Sequence, residues 1–212
     1  MSSADHYFTA SPASPQELRT IDVRLQGHEA RVVTAGGVFS GDHLDQATKI
    51  LLDAVPAPPA TGNLLDLGCG WGPIALALAF ASPQAKVWAV DVNERALDLT
   101  QRNAASLALD GVQVALPDQV PADIAFDVIW SNPPIRIGKE ALHALLSQWL
   151  PRLTPDGVAY LVVSKNLGAD SLTSWLNTSL GAPTTRLSSS GGYRILAVRR
   201  PSNSRSEGNA SN

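Results

Sequence analysis

Residues 64–72 read Leu-Leu-Asp-Leu-Gly-Cys-Gly-Trp-Gly, and one strand later residues 90–93 read Val-Asp-Val-Asn. The apolar run Leu64 to Leu67 predicts a short buried strand that ends in a glycine-dense turn. Pro73 suits the first turn of the next helix, where its missing N–H costs nothing, and that helix is expected to reach about Ala81. Lys86 to Val90 predicts the following strand. This strand–turn–helix–strand order sets two parallel strands side by side, with the glycines and Asp91 at their carboxyl ends. Ligands of doubly wound sheets bind outside that edge.

Outward from this centre the alternation continues. Asn93 to Leu107 predicts a helix capped by Asn93, Val112 to Leu116 a weaker strand, and Phe126 to Ser131 a strong one closed by Asn132-Pro133-Pro134. A helix from about Lys139 to Leu150, a strand from Val158 to Val163, a helix around Ser171 to Leu180 and a strand from Tyr193 to Val198 follow. Such alternation predicts an α/β fold, a mostly parallel sheet with helices on both faces. Upstream, Ile21, Val23 and Leu25 alternate with polar residues, and Gln26-Gly27 turns the chain into His28-Glu29-Ala30-Arg31, so a β-hairpin is expected. Asp42 is expected to cap a helix running through Val55, with Leu44, Ala47, Ile50, Leu51 and Ala54 as its apolar stripe. The expected organisation is a lead-in and hairpin over 1–37, an α/β domain over 38–200 and a polar, disordered tail over 201–212.

A chain of 212 residues with 44% hydrophobic and 17% charged content is a globular domain with one core, not a disordered one. No apolar run reaches the roughly 18 residues of a membrane-spanning helix, and no secretory leader is visible, so a cytoplasmic protein without a membrane partner is expected. Cys69 is the single cysteine. The four histidines, His6, His28, His43 and His143, share no metal-ligand spacing, so no metal is expected. A net charge of −3 argues against non-specific nucleic-acid binding over the whole surface. An RNA ligand would have to be held by a few placed cations.

The chemistry is legible at two strand tips. Glycines at 68, 70 and 72 let the backbone pass close to a ligand, and the helix that opens at Pro73 offers a positive dipole end to a carboxylate. Asp91 can accept hydrogen bonds from two ribose hydroxyls. A nicotinamide-binding loop would read G-x-G-x-x-G, and here Gly72-Pro73 breaks that spacing. At the other tip, Pro133 holds Asn132 extended and Pro134 stiffens the turn. The Asn132 amide oxygen and a proline carbonyl can then converge as two acceptors, the arrangement an –NH₂ group on a planar ring or amide requires. Accepting both N–H bonds turns the nitrogen lone pair toward an electrophile, and positioning replaces general-base power.

The pairing of Asp66-Leu67-Gly68-Cys69-Gly70-Trp71-Gly72 with Val90-Asp91-Val92-Asn93 resembles the class I S-adenosylmethionine-dependent methyltransferases over about residues 38–199. The resemblance implies a Rossmann-like sheet of seven strands. It also implies that Asp66 helps place the methionine amino group, that Gly68, Gly70 and Gly72 line the cofactor, and that Asp91 holds the ribose. Asp118, after the third strand, matches the position that meets the adenine amino group, or is a plain turn residue. The Asn132-Pro133-Pro134 corner resembles the N-P-P-aromatic motif of amino-nitrogen methyltransferases, but Ile135 stands at the aromatic position. Ile135 can form an apolar lid, with Phe39 or Arg136 as the flat face for a base. The wider string, GGVFSGDHLDQATKILL, the glycine loop and NPPIRIGKEALHALL, resembles the small-subunit ribosomal RNA guanine-N2 methyltransferases (RsmC-like) in a compact form. That likeness implies S-adenosylmethionine as cofactor, ribosomal RNA or the small ribosomal subunit as partner, and Arg136 and Lys139 as phosphate or base contacts.

Three other readings stay open. Asn-Pro-Pro corners also serve adenine-N6 and protein glutamine-N5 methylation. A cofactor- or RNA-binding module without turnover keeps the same fold, and a nicotinamide reductase would respond to NAD.

Overall fold

A computed structural model describes residues 17–134 and 137–202. The expected lead-in, most of the expected tail, and Ile135 and Arg136 lie outside the described residues. Strands β1 (Leu18–Leu25) and β2 (His28–Ala35) form the hairpin, with positive φ at both turn residues, Gln26 (49°) and Gly27 (87°). Two positive φ values give the turn a twist that matches the twist of paired strands. Then follow α1 (Gln46–Ala54), β3 (Asn63–Leu67), α2 (Pro73–Ala81), β4 (Lys86–Val90), α3 (Glu94–Ser106), β5 (Val112–Ala115) and β6 (Phe126–Ser131). The chain continues through α4 (Lys139–Trp149), β7 (Leu153–Ser164), α5 (Ala169–Thr178), β8 (Thr184–Ser190) and β9 (Tyr193–Arg199).

The large sheet has seven strands in the order β5-β4-β3-β6-β7-β9-β8. β5 to β7 are parallel, and β9 runs antiparallel to both β7 and β8. Chain order reverses between β3 and β6, which makes the carboxyl ends of those strands the switch point of the sheet. Side chains alternate across it. Leu64, Val128 and Trp130 pack into the layer with α1, α2, α3 and the hairpin, while Leu65, Ile129 and Trp149 pack into the layer with α4 and α5. The hairpin shares the first core through Val23, Leu25, Ala30 and Val32. Asn103 fastens it to α3, accepting from Val33 N–H at 2.7 Å and donating to the Val33 carbonyl at 2.9 Å and the Trp71 carbonyl at 3.0 Å.

Three expectations change. The cap of α1 is Asp45, not Asp42, because Asp45 Oδ2 accepts the Thr48 N–H at 3.0 Å while Asp42 pairs with exposed His43. β7 begins five residues early, at Leu153. A register shift opposite Phe126 and Val128 absorbs Pro155-Asp156-Gly157, which reads as a turn in isolation. β8 carries a polar, mostly exposed edge sequence, Thr-Thr-Arg-Leu-Ser-Ser-Ser, with no apolar alternation to reveal it.

Candidate active site

The loop after β3 is built on left-handed glycines. Gly70 has φ of 57° and Gly72, the N-cap of α2, φ of 96°. A Cβ at Gly72 would also lie 2.9 Å from both Cγ2 and Oγ1 of buried Thr100. Gly68 and Cys69 N–H donate to the Val90 carbonyl at 2.8 and 3.0 Å, and Gly70 N–H donates to Asp91 Oδ2 at 2.9 Å. The loop is thereby folded onto the tip of β4. Asp91 Oδ1 accepts from Asn93 N–H at 2.9 Å. Burial raises the Asp91 carboxyl above the usual aspartate range, and the Asn93 and Gly70 N–H groups partly offset that rise.

Asp66 sits one layer behind. It is fully buried, and Oδ2 accepts the Ala75 N–H at 2.8 Å, which ties the strand to the first turn of α2. Among the described residues Oδ1 has no partner. Burial drives this carboxyl well above its ordinary value, with nearby Asp91 adding to the rise. Cys69 is buried, and the same cause raises its thiol, so it is a packing residue rather than a nucleophile.

The tip of β6 is held against this loop. Ser131 Oγ donates to the Leu67 carbonyl at 2.6 Å, and a Cβ on Gly68 would stand 4.0 Å from Pro134 Cδ. Asn132 Nδ2 donates to Asp45 Oδ2 at 2.9 Å and to Thr48 Oγ1 at 3.0 Å. The Pro134 carbonyl accepts from Ile137 N–H at 3.1 Å. Over both tips runs the segment after the hairpin. It is fixed by Asn93 Nδ2 to the Gly37 carbonyl (2.9 Å), Arg95 to the Gly36 carbonyl (2.8 Å) and Trp71 Nε1 to the Ser40 carbonyl (3.1 Å).

These elements enclose a cavity of about 360 Å³, within the range of small-molecule sites. Gly68, Gly70, Asp91, Asn132, Pro133, Pro134 and Phe39 all line it. Asp66 and Gly72 are buried and are not among the lining residues. Asp118 is exposed in the turn after β5 and does not line the cavity, whereas its neighbour Pro117 does. Lys139 is exposed at the start of α4, away from the lining. Lining residues that sequence reasoning passed over include Asp45, Leu167 and Tyr193. Only Asp45 left a signal, the Asp-x-x-Thr spacing of a helix cap. Asp91 lines the cavity together with apolar Val90, Val92, Ala96 and Pro117, a set whose chemistry suits a ribose diol and a flat purine. Asn132, Pro133 and Pro134 line the same cavity. No helix among the described residues is long and apolar enough to cross a membrane.

The sheet order, the glycine loop with Asp91 and the Asn-Pro-Pro tip together define a nucleoside-cofactor-dependent transferase of the Rossmann-like class. Residues 29–197 match the methyltransferase small domain, and the chain belongs to that family as a class I, RsmC-like S-adenosylmethionine-dependent methyltransferase. Its cofactor is S-adenosylmethionine. It is similar to YbxB of Bacillus subtilis (strain 168), 33% identical over 79% of this chain and 85% of YbxB. It is also 33% identical to the ribosomal RNA small subunit methyltransferase C of Pseudomonas aeruginosa (strain LESB58), over 90% of this chain and 58% of that protein. The T. thermophilus 16S rRNA N2 methyltransferase RsmC, solved with AdoMet and guanosine, superposes with a TM-score of 0.73 at 26% identity. That match covers 88% of this chain and 51% of the T. thermophilus chain. The chain thus spans a little over half the length of these two methyltransferases.

Proposed function

We propose that this methyltransferase modifies an exocyclic amino nitrogen, with guanine N2 in small-subunit ribosomal RNA as the target. The observation that carries this reading is that Asp91, Gly68, Gly70 and Asn132 all line one cavity. The related proteins named for small-subunit ribosomal RNA methylation support the choice of RNA.

S-adenosylmethionine supplies an electrophilic methyl group on a sulfonium. Asp91 holds the cofactor's ribose, and the backbone of Gly68 and Gly70 admits its chain without a side chain in the way. Asn132 Oδ1 accepts one N–H of the acceptor amine and the Pro133 carbonyl accepts the other. The nitrogen lone pair is then drawn out of conjugation and aimed along the line of attack. Bound there, the cofactor would supply a methyl group whose transfer makes an N–C bond at the expense of its methyl–sulfur bond, with the surplus amine proton passing to water. Orientation and electrostatics supply the rate, so no strong general base is required. Phe39, 40% exposed at the rim, offers the flat face for the base.

Incubation with methyl-labelled cofactor and either small ribosomal subunits, their deproteinised RNA, DNA or a release factor tests the acceptor. Label in guanine of the ribosomal RNA supports the proposal. Label in adenine or only in protein replaces it with the adenine-N6 or glutamine-N5 reading.

A further inference from the structure

We propose that Asp45 and Thr48 are positioning residues that fix which end of the Asn132 amide faces the acceptor. The inference rests on the reading of Asn132 as the amine-binding residue and deepens it. An asparagine carboxamide has an oxygen end that accepts and a nitrogen end that donates, and the two are nearly equal in size. Only the oxygen end grips an –NH₂ group, because the nitrogen end would oppose donor to donor. Something must select between the two orientations.

Here the selection is made by α1. Asp45 Oδ2 accepts from Asn132 Nδ2 at 2.9 Å, and Thr48 Oγ1 accepts from the same nitrogen at 3.0 Å. Both amide protons are thereby engaged by α1, which leaves Oδ1 as the end of the amide to accept from an amine in the cavity that Asn132 and Asp45 both line. A carboxylate only accepts, so the flipped amide would set Oδ1 against Asp45 Oδ2 and lose its partner there. Asp45 is itself held. The same Oδ2 caps α1 through the Thr48 N–H at 3.0 Å, and Thr48 is 3% exposed. A half-buried helix start 84 to 87 residues away in sequence thus locks a rotor that the Asn-Pro-Pro turn alone leaves two-fold.

The role separates from simple capping by choice of substitution. Serine caps helices as well as aspartate but is too short to reach Asn132, whereas asparagine keeps an acceptor oxygen for both bonds. Asp45→Ser, Asp45→Asn, Asn132→Ala and the double variant Asp45→Ser/Asn132→Ala would be compared for thermal midpoint, cofactor affinity and single-turnover methyl transfer to small ribosomal subunits and their RNA. Asp45→Ser is expected to lower transfer roughly 10-fold with cofactor affinity and midpoint close to those of Asp45→Asn, which stays within about threefold of the parent. On an Asn132→Ala background, Asp45→Ser is expected to add nothing, since the side chain it orients is gone. Side-chain amide NMR of asparagine-labelled, cofactor-free protein gives a readout without turnover. The Asn132 NH₂ signal, assigned by its loss in Asn132→Ala, is expected to exchange slowly in the parent and Asp45→Asn and fast in Asp45→Ser. The proposal is overturned if Asp45→Ser keeps full transfer, weakens cofactor binding by the same factor as transfer, or multiplies the Asn132→Ala defect. Full transfer by Asn132→Ala overturns the underlying reading instead.

Discussion

Ser131 Oγ donates to the Leu67 carbonyl over 2.6 Å, joining the last residue of β6 to the last residue of β3. The bond is buried, and it pins together the strand tips that carry the Asn-Pro-Pro corner and the glycine loop. The spacing of donor and acceptor groups in the cavity depends on this junction, because each loop departs from one of the two residues it joins.

Ser131→Ala leaves the Leu67 carbonyl without this donor. It is expected to lower unfolding stability by about 1–3 kcal/mol and methyl transfer by roughly 3–10-fold. Urea unfolding and single-turnover rates check both. Unchanged transfer would show that the tips keep their spacing without this bond.

Asp91→Ala removes the proposed ribose acceptor together with the anchor of the Gly70 N–H. Calorimetry is expected to show cofactor binding weaker by at least about 1–3 kcal/mol. Asn132→Ala, in contrast, is expected to leave cofactor affinity within a few fold.

Asp66 gives a pH signature. Its folded-state value is raised, so its stabilising contribution is full below the ordinary aspartate value of 3.8 and is lost as pH rises through the folded value. Asp66→Asn keeps an acceptor for the Ala75 N–H without a buried charge. The thermal midpoint of the cofactor-free variant, relative to the parent, is expected to climb as pH is raised from about 4 toward neutrality. Asp91 shifts in the same direction and is coupled to Asp66, so relief of that repulsion in the variant adds to the same trend, whereas the exposed ion-paired Asp22 and Asp170 shift in the opposite direction, are common to both proteins and cancel. Parallel curves would contradict the assignment of a desolvated carboxyl at this position.

Gly72→Ala places a Cβ 2.9 Å from Thr100 at a φ of 96°. A loss of about 2 kcal/mol or more in stability is expected, with weaker cofactor binding because the start of α2 must shift. Denaturant titration with and without cofactor measures both.

The strand tips were readable because their chemistry is local. Glycines at alternate positions, an acid ending each of two neighbouring strands and a double proline each constrain a few consecutive residues. What could not be read lies in tertiary contact or in missing periodicity. Asp42 and Asp45 are equally plausible caps by composition, and only the Thr48 N–H decides between them. The Asp45–Asn132 bond joins residues 87 apart, so no window of sequence reveals it. β8 is an exposed polar edge whose pairing to β9 comes from backbone bonds, not side-chain pattern.

The most direct measurement is mass analysis of small-subunit ribosomal RNA nucleosides after a single turnover with deuteromethyl cofactor, run with the parent protein and Asn132→Ala. The account predicts deuterated N2-methylguanosine with the parent and at least about 100-fold less with the variant. Equal yield from both proteins, or label on another base alone, would contradict it.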